Sequence, residues 1–440
     1  MNETHDPSLQ SWVDSANAAN SDFPIQNLPF GIFSRRGDKE GRRKVGVAIG
    51  DRILDVTAGV EAGIWTGIAD EVARAASGKS LNAVMQCSRE SLSEFRLQLS
   101  RALAGIPNDA RPRPAAAALV PMGDVEMHVP AEIGDYTDFY ASIYHATNVG
   151  KLFRPDNPLL PNYKHVPIGY HGRASSIVPT GTWVTRPLGQ TRPSEKDPPV
   201  FGPSRLLDYE AEAGFFVSRG NSLGQPIGID EAEDHIFGLC IVNDWSARDI
   251  QAWEYQPLGP FLAKNFATTV SPWVLTMEAL EPFRSPAFFR PAGDPKPLPY
   301  LSSDRNRGMG GIDLTIEVYI RTSMMREAGL RPHRLSQASL SDMYWTPAQL
   351  LTHHASNGCN LRPGDLFASG TVSGPESSSL GCLLELTRRG AEAIHLPSGE
   401  DRKFLQDRDE IIMRGFLERE GAVRIGTGEC AGLVVAAASR

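Results

Sequence analysis

Three acidic side chains occupy alternate positions in one short segment of the chain, namely Asp208, Glu210 and Glu212. Residues two apart on a β-strand point to the same face of the sheet, so a strand in this segment would place the three carboxylates side by side. Like charges directed to one face repel one another, whereas a bound divalent cation would offset the repulsion. The spacing therefore predicts a cation site.

Two acids elsewhere complete the predicted metal site. Asp138 lies upstream, and Asp244 follows the apolar segment 236–242, where a predicted strand gives way to a helix. Oxygen ligands without histidine or cysteine favour Mg²⁺, Ca²⁺ or Mn²⁺ over zinc. The alternative is that these acids are surface residues paired with lysines. The predicted ligands are Asp138, Glu210, Glu212 and Asp244, and the cations expected to balance their charge are Arg248 and Lys264.

The segment after Asp244 predicts a helix with hydrogen-bond donors along one face. Arg248, Gln251 and Tyr255 have the spacing that places side chains on the same side of an α-helix. A guanidinium, an amide and a phenol on one face suit a carboxylate ligand or an oxyanion that forms during a reaction. The alternative is a helix whose polar face is only solvated.

His145 is a candidate general base because it follows the predicted ligand Asp138 by only a few residues. A histidine can deprotonate water near neutral pH if a partner fixes which ring nitrogen carries the proton, although a lone histidine is more often structural. Glu385 is a candidate partner, since it is the one charge in the apolar segment 382–386, which we interpret as a strand. Glu376 is the competing candidate, and the residues alone leave the choice open.

The order of predicted elements indicates a mostly β protein of the α+β class. Short strands separated by Gly-Asp turns follow from residue 23 and predict a small barrel, and helical spacing covers 68–105. A proline-rich connector precedes residue 120, after which strands dominate. The predicted domains are a loose, polar N-terminal arm at 1–22, a β-barrel domain at 23–118 and a catalytic β-domain at 119–440.

The composition argues against several classes of partner. The 440 residues carry a formal net charge of −8, with a pI near 5.7 and no basic block, which argues against nucleic acid and anionic membranes. No apolar run approaches the roughly 20 residues that span a bilayer, and the polar N-terminus lacks the features of a secretory signal. The five cysteines are scattered and odd in number, which fits reduced thiols in the cytoplasm better than disulfides or a zinc site.

Several long sequence strings resemble the fumarylacetoacetate hydrolase family, from about residue 24 to the C-terminus and most strongly after residue 130. These strings are Asp135–Tyr140, His145–Gly150, Val166–Ser176, Asn243–Ile250, Pro257–Phe261, Asn357–Asp365 and Ala368–Thr371. They are too long and specific to arise by chance. The chain departs from the family pattern in the loops around 188–200 and 287–304, and in the spacing from Arg154 to Tyr170.

The resemblance implies a small N-terminal SH3-like barrel, a larger C-terminal mixed β-roll or sandwich domain that houses the site, and a homodimer. It also implies a hydrolase that uses Ca²⁺ or Mg²⁺ to cleave a carbon–carbon bond of fumarylacetoacetate. The products are fumarate and acetoacetate, in the last step of tyrosine and phenylalanine degradation. The alternatives are an acylpyruvate hydrolase, a keto-acid decarboxylase or an isomerase on the same scaffold, or a non-enzymatic protein that the cation only stabilises.

The resemblance also implies a role for particular residues. It favours Glu385 over Glu376 as the carboxylate that orients the base, His145. The implied ligands of the divalent cation are Asp138, Glu210, Glu212 and Asp244, with Lys264 and Thr268 at a second cation position. The residues implied to stabilise the oxyanion are Arg248, Gln251 and Lys264. The residues implied to contact the substrate are Tyr140, Arg154, Tyr170, Tyr255 and Thr371.

Overall fold

The computed structural model describes residues 1–105, 113–194 and 196–438 of the chain. These residues form strands with helices placed among them, so the predicted mostly β architecture of the α+β class is confirmed. The strands are β1 Phe30–Arg35, β2 Lys44–Ile49, β3 Arg52–Asp55, β4 Leu119–Pro121, β5 Val125–His128, β6 Tyr136–Phe139, β7 Gly169–Gly172, β8 Ile177–Pro179, β9 Trp183–Thr185, β10 Leu188–Thr191, β11 Val200–Pro203, β12 Leu207–Asp208, β13 Ala211–Val217, β14 Ile236–Asp244, β15 Ser246–Ala247, β16 Thr268–Val270, β17 Trp273–Thr276, β18 Arg284–Ser285, β19 Gly311–Ile312, β20 Leu314–Arg321, β21 His333–Ser339, β22 Leu366–Ala368, β23 Ile394–His395, β24 Asp401–Arg402, β25 Glu410–Leu417 and β26 Ile425–Val435.

Helices of both the α and the 3-10 type lie between these strands. The α-helices are α1 Val56–Glu61, α2 Ala69–Ala75, α3 Asn82–Met85, α4 Arg89–Leu103, α5 Ile143–Phe153, α6 Arg248–Glu254, α7 Asp304–Met309, α8 Ser323–Glu327, α9 Pro347–Ala355 and α10 Leu383–Leu386. The 3-10 helices are Glu3–His5, Asp14–Asn17, Pro114–Ala118, Met122–Asp124, Ala174–Ser176, Ala232–His235, Glu281–Phe283, Pro299–Leu301, Leu340–Asp342 and Ser377–Ser379. None of the helices within the described ranges is both long and apolar enough to cross a membrane.

The helices predicted over 68–105 are confirmed as α2, α3 and α4. The longest of them, α4, begins where the Ser88 hydroxyl accepts a hydrogen bond from the Ser91 amide, and it buries Phe95, Leu99 and Leu103 at a spacing of four residues. Most of the connector predicted before residue 120 falls on residues 106–112, which lie outside the described residues.

The N-terminal strands belong to the same sheet as the central C-terminal strands. β1 pairs with β2 and β5, β3 pairs with β2 and β4, and β1 also pairs with β17, where Gly31 lies opposite Trp273. No pairing joins β4 to β5 among the described strands, so the closed SH3-like barrel is not confirmed. The predicted boundary at residue 118 also separates β4 and β5 from the strands with which they pair.

Residues 1–22 pack against α4, so the prediction of a loose arm is wrong. The Ser11 hydroxyl donates to the Leu103 carbonyl at 2.9 Å. The buried Arg96 donates through Nε to the Thr4 hydroxyl, also at 2.9 Å. These partners lie more than 90 positions from one another in sequence. The polar composition of the segment therefore gave no sign of the contacts that order it.

A second sheet, in the order β21-β20-β25-β26-β9, packs against the first. Along β20 the side chains alternate between buried and half-buried, which is the pattern of a strand with one face on a core. Gly432 of β26 lies close to Trp245, and a Cβ atom there would lie 2.6 Å from the indole ring. Glycine therefore permits the close approach of the two layers.

Five strands of the first sheet bring the predicted site together. β13 pairs with both β14 and β22, and β22 runs parallel to β6, where Ala368 lies opposite Asp138. On β13, Glu212 lies opposite Val242, and the end of β14 places Asp244 opposite Thr268 of β16. The helices α5 and α6 follow β6 and β14 in the chain and carry further candidate residues to the same place.

Candidate active site

The structure brings the four predicted metal ligands together. Carboxylate oxygens of Asp138, Glu210, Glu212 and Asp244, one from each, all lie within 4.8 Å of one another, and all four side chains are buried. Buried carboxylates at such distances repel one another strongly unless a positive charge lies among them.

Three oxygens of this carboxylate cluster have no hydrogen-bond partner among the described residues. They are Oδ1 of Asp138 and both carboxylate oxygens of Glu212. Burial raises the pKa of each carboxyl, and the neighbouring carboxylates raise it further. Buried oxygens that lack donors and converge on one point have the chemistry of ligands for a hard divalent cation. The residues present therefore fit such a cation.

Two buried cations neutralise part of the cluster. The Lys264 ammonium donates to Asp244 Oδ2 at 2.7 Å and also to Glu210, while Arg248 Nη1 donates to Glu210 Oε1 at 2.8 Å. Burial lowers the pKa of Lys264, but Asp244 and Glu210 raise it by more, so the net shift is upward. A protonated ammonium has no lone pair. The Lys264 ammonium is therefore a counter-charge to the carboxylate cluster. The second cation position that includes Lys264 stays a prediction.

Thr268, the other residue predicted at a second cation position, also contacts the cluster. Its hydroxyl donates to Asp244 Oδ1 at 2.8 Å and it is buried. The hydroxyl oxygen retains acceptor capacity after this donation.

Asp208 does not join the carboxylate cluster, although strand alternation predicted it on the same face. β12 ends at Asp208 and β13 begins only at Ala211, so the regular alternation is interrupted between them. Asp208 instead accepts Arg248 Nε at 2.9 Å and the amides of Leu383 and Leu384 at 2.8 and 2.9 Å. It thereby anchors the start of α10.

His145 and Glu385 form a buried pair. The Ser142 hydroxyl caps α5 and accepts the amide of His145 at 3.1 Å, which places the imidazole in the first turn of the helix. Nδ1 of His145 lies 2.6 Å from Oε2 of Glu385. Glu376, the competing candidate, is exposed. The partner of His145 is therefore Glu385.

Further donors surround the Glu385 carboxylate. Asn148 donates to Oε1 at 2.8 Å, the Ser373 hydroxyl donates to Oε2 at 2.8 Å, and Cys382 Sγ lies 3.3 Å from Oε2. Burial raises the pKa of Glu385, but His145 and these hydrogen bonds lower it by more, so the carboxylate stays ionised. The segment that carries Glu385 is the short helix α10, so its interpretation as a strand was wrong.

The sequence analysis missed Asn148, Ser373 and Cys382. Asn148 could have been found, since it lies three residues after His145 and so on the same side of a helix. Ser373 and Cys382 come from a different part of the chain, and no spacing relates them to His145.

The predicted donor face of α6 points to the same site. Arg248 Nη1 lies 3.2 Å from Gln251 Oε1, and Arg248 Nη2 is buried without a partner among the described residues. Gln251 and Tyr255 line a common cavity with Arg248. A buried guanidinium nitrogen without an acceptor is suited to donate a hydrogen bond to a negatively charged group of a ligand.

A cavity of about 800 Å³ connects these groups, and all the predicted substrate contacts line it. Tyr170 donates to Asp244 Oδ2 at 3.1 Å, and the ring of Tyr140 meets that of His145 edge-on, with centroids 5.3 Å apart. The Thr371 hydroxyl is buried without a partner among the residues described. Arg154 is exposed, and its Nη2 donates to the Pro158 carbonyl at 3.3 Å.

The chain matches two family models. One, described as Fumarylacetoacetase N-terminal, matches residues 26–130, and the other, described as Fumarylacetoacetate (FAA) hydrolase C-terminal, matches residues 136–434. A fumarylacetoacetase of Bos taurus is 49% identical over 428 residues, which are 96% of this chain and 98% of that protein. A fumarylacetoacetase of Homo sapiens is 48% identical over 426 residues, with the same two coverages. A solved fumarylacetoacetate hydrolase from Exiguobacterium antarcticum is 18% identical, and the match covers 93% of this chain and 99% of that chain with a TM-score of 0.49.

Proposed function

The chain belongs to the fumarylacetoacetate hydrolase family, and we propose that it hydrolyses a carbon–carbon bond of fumarylacetoacetate to give fumarate and acetoacetate. One observation carries this proposal. A buried histidine–carboxylate pair, a carboxylate cluster and a face of hydrogen-bond donors surround one cavity, in a chain that is 49% identical to a fumarylacetoacetase over nearly its whole length.

A divalent cation is part of this proposal. The residues that would hold it are Asp138, Glu210, Glu212 and Asp244, and the all-oxygen donor set favours Ca²⁺ or Mg²⁺. When bound, the cation supplies Lewis-acid polarisation of the substrate's carbonyl oxygens. Lys264 and Thr268 are proposed to lie beside this set, with Lys264 as the balancing charge.

The proposed role of His145 is to activate water. Because Nδ1 donates to the ionised Glu385, Nε2 is left as the nitrogen that can accept a proton. The water oxygen then forms a bond to the carbonyl carbon on the fumaroyl side, and the water proton passes to Nε2. Glu385 holds the ring in place and stabilises the imidazolium that results.

The proposed role of Arg248, Gln251 and Lys264 is to stabilise the oxyanion of the tetrahedral intermediate. When the intermediate collapses, the carbon–carbon bond breaks, and its electron pair remains on the acetoacetate carbon. The imidazolium returns a proton to that carbon, so the products are fumarate and acetoacetate with no other reactant. Removal of one such donor raises the barrier by ~2.7–4 kcal/mol in comparable enzymes.

The proposed substrate contacts hold the two ends of the molecule. Arg154 can form two parallel hydrogen bonds with a carboxylate, which a lysine cannot. The other proposed contacts are Tyr140, Tyr170, Tyr255 and Thr371, which line the same cavity.

The alternatives are not favoured. The relatives from Bos taurus and Homo sapiens are fumarylacetoacetases, so their names give no support to an acylpyruvate hydrolase, a decarboxylase or an isomerase. A cation that only stabilises the fold would leave the buried pair of His145 and Glu385 without a role.

Several wider features are also proposed. They are a place at the last step of tyrosine and phenylalanine degradation, a homodimer, and a cytoplasmic location, the last supported by the five unpaired cysteines.

We also propose an N-terminal domain with an open, SH3-like arrangement and a C-terminal catalytic domain that begins near residue 131 rather than 119. The strand order β4-β3-β2-β1-β5 and the ranges of the two family models support this division.

The proposed function is tested by adding cation-loaded protein to fumarylacetoacetate and following the loss of diketone absorbance. Fumarate and acetoacetate are assayed separately. We expect both products in equal amounts, and expect them to be lost after chelation and in His145→Ala. His165→Ala, which alters an exposed histidine, is the matched control and should keep full activity. A folded, cation-loaded protein that forms neither product would overturn the proposal.

A further inference from the structure

A second group of potential metal ligands adjoins the same cavity as the carboxylate cluster but differs from it in chemistry. One ligand atom from each of His145, Cys382 and Glu385 lies within 4.8 Å of the other two, and all three side chains are buried. An imidazole, a thiol and a carboxylate together suit Zn²⁺, whereas the carboxylate cluster offers oxygen alone and suits harder cations. We call His145, Cys382 and Glu385 the mixed cluster.

The spacing of atoms in the mixed cluster is close to that of a zinc site. Glu385 Oε2 lies 2.6 Å from His145 Nδ1 and 3.3 Å from Cys382 Sγ. A tetrahedral Zn²⁺, with bonds of about 2.0 Å to nitrogen and oxygen and about 2.3 Å to sulfur, holds its ligand atoms roughly 3.3–3.6 Å apart. The sulfur and oxygen therefore already have a suitable separation, and the nitrogen and oxygen would have to move apart by less than about 1 Å.

Two helices fix the three ligands in advance. Cys382 immediately precedes α10 and Glu385 lies within it, while His145 occupies the first turn of α5. His145 also lines the cavity, so a water molecule from the cavity can take the fourth position around a bound cation. Cys382 is fully buried and is not among the described residues that line the cavity. A cation that enters through the cavity therefore reaches His145 before it reaches the thiol.

Without such a cation, Cys382 carries its proton. Burial raises the pKa of this thiol, and Glu385 and Asp208 raise it further. The thiol proton and the proton on Nδ1 of His145 are both directed at Oε2 of Glu385. A cation bound between the three ligand atoms takes the place of these two protons.

We propose that the mixed cluster binds Zn²⁺ and that this binding inhibits the enzyme. Zn²⁺ forms bonds to Cys382 Sγ, His145 Nδ1 and Glu385 Oε2. The thiol proton is released to solvent, and the imidazole proton is transferred from Nδ1 to Nε2. The thiolate and the carboxylate then balance the charge of the cation. Because Nε2 now carries a proton, it no longer accepts one from water. The inhibition rests on the proposed function, whereas the binding of Zn²⁺ does not.

X-ray absorption at the zinc edge tests the binding directly. The wild type is saturated with Mg²⁺, to fill the carboxylate cluster, and then receives one equivalent of Zn²⁺. We expect one sulfur at ~2.3 Å, nitrogen and oxygen at ~2.0 Å and the multiple scattering of an imidazole. A shell of oxygen atoms without sulfur would place Zn²⁺ in the carboxylate cluster and overturn the proposal.

Substituted proteins identify which cysteine supplies the sulfur. Cys382→Ser removes the sulfur but keeps a hydroxyl beside Glu385, and we expect it to lose the sulfur shell. The matched control is Cys87→Ser/Cys359→Ser, which removes the two half-buried thiols, neither of them among the described residues that line the cavity. It should keep the sulfur shell, a result that does not depend on whether Cys382→Ser folds. Sulfur that disappears in this control, or that persists in Cys382→Ser, would overturn the proposal.

Inhibition is measured as the rate of fumarylacetoacetate cleavage with Zn²⁺ added over saturating Mg²⁺. In the wild type and in the control we expect a slow loss of roughly 10²-fold or more, the contribution of general acid–base catalysis. Cys382→Ser should lose little of its own rate. An equal loss in Cys382→Ser would overturn the proposal. A wild type that forms no products before Zn²⁺ is added would refute the proposed function, and X-ray absorption would still decide the metal site.

Discussion

Nδ1 of His145 lies 2.6 Å from Oε2 of Glu385, although 240 positions separate the two residues in sequence. α5 holds the histidine through the cap at Ser142, and α10 holds the glutamate through the amides that bond to Asp208. Both side chains are buried. Asn148 of α5 also donates to Oε1 of Glu385 at 2.8 Å. The relative position of base and carboxylate is therefore set by two short helices that are each anchored at one end and hydrogen-bonded to each other.

Glu385→Gln should lower kcat by roughly 10²–10⁴-fold, the range for loss of general acid–base assistance. An amide cannot stabilise the imidazolium, and it allows the ring to adopt the wrong tautomer. The measurement is kcat from diketone absorbance, with circular dichroism to verify the fold. Glu376→Gln, at an exposed position in the nearby loop, is the control and should keep wild-type activity. Equal effects of the two substitutions would contradict the assignment.

Glu385 should also make the stability of the protein depend on pH in the acidic range. Its pKa in the folded protein is below the ordinary value, because the opposing effect of burial is outweighed by His145 and the surrounding donors. The unfolded chain therefore takes up this proton at a higher pH than the folded protein does. The stabilisation is present above the ordinary carboxyl pKa and is lost as the pH falls through the folded pKa.

Urea unfolding of wild type and Glu385→Gln at a series of pH values measures this contribution. We expect the difference in the free energy of unfolding to be largest near neutral pH and to shrink as the pH falls into the acidic range. A difference that stays constant over the whole series would show that Glu385 does not titrate in the way its contacts require.

Glu212→Gln should change how the protein responds to cations. Both carboxylate oxygens of Glu212 are buried without a partner among the described residues, and its neighbours are also acidic. After chelation, the variant should be more stable than the wild type, because one of the repelling charges is gone. Addition of Ca²⁺ or Mg²⁺ at a hundred times Kd should stabilise the wild type by about 2.7 kcal/mol, and should stabilise the variant much less.

Thermal unfolding with and without cation measures both effects. Glu418→Gln, at an exposed position, serves as the control and should respond as the wild type does. A variant that is destabilised by chelation as much as the wild type would place the cation elsewhere.

Arg96→Met should release the N-terminal segment without a direct effect on the chemistry. The Arg96 guanidinium donates to the carbonyls of Gln26 and Asn27 and to the Thr4 hydroxyl. Each buried carbonyl left without a donor should lower the free energy of unfolding by about 1–3 kcal/mol. We expect faster proteolysis within residues 1–22 and an unchanged kcat. Arg101→Met removes an exposed ion pair with Glu3 and should have little effect.

The sequence determined the chemistry of the site. The patterns that predicted the site were local ones, and the periodicity of strands and helices is what relates such patterns to a shared face. They are the alternate acids Glu210 and Glu212, the helical spacing of Arg248, Gln251 and Tyr255, and the position of His145 near Asp138. The mostly β class and the helices of 68–105 were equally accessible, because they rest on short-range periodicity. The family motifs then identified Glu385 as the partner of His145, which the residues alone had left open.

The tertiary structure decided which charges meet. Asp208 is acidic and has the same alternate spacing as Glu210 and Glu212, but the interruption between β12 and β13 directs its carboxylate to Arg248 and away from the cluster. Residues 1–22 have the composition of a loose segment, but α4 supplies their partners. Such contacts join positions far apart in the chain, and their formation depends on the packing of whole elements. Local periodicity carries no information about that packing.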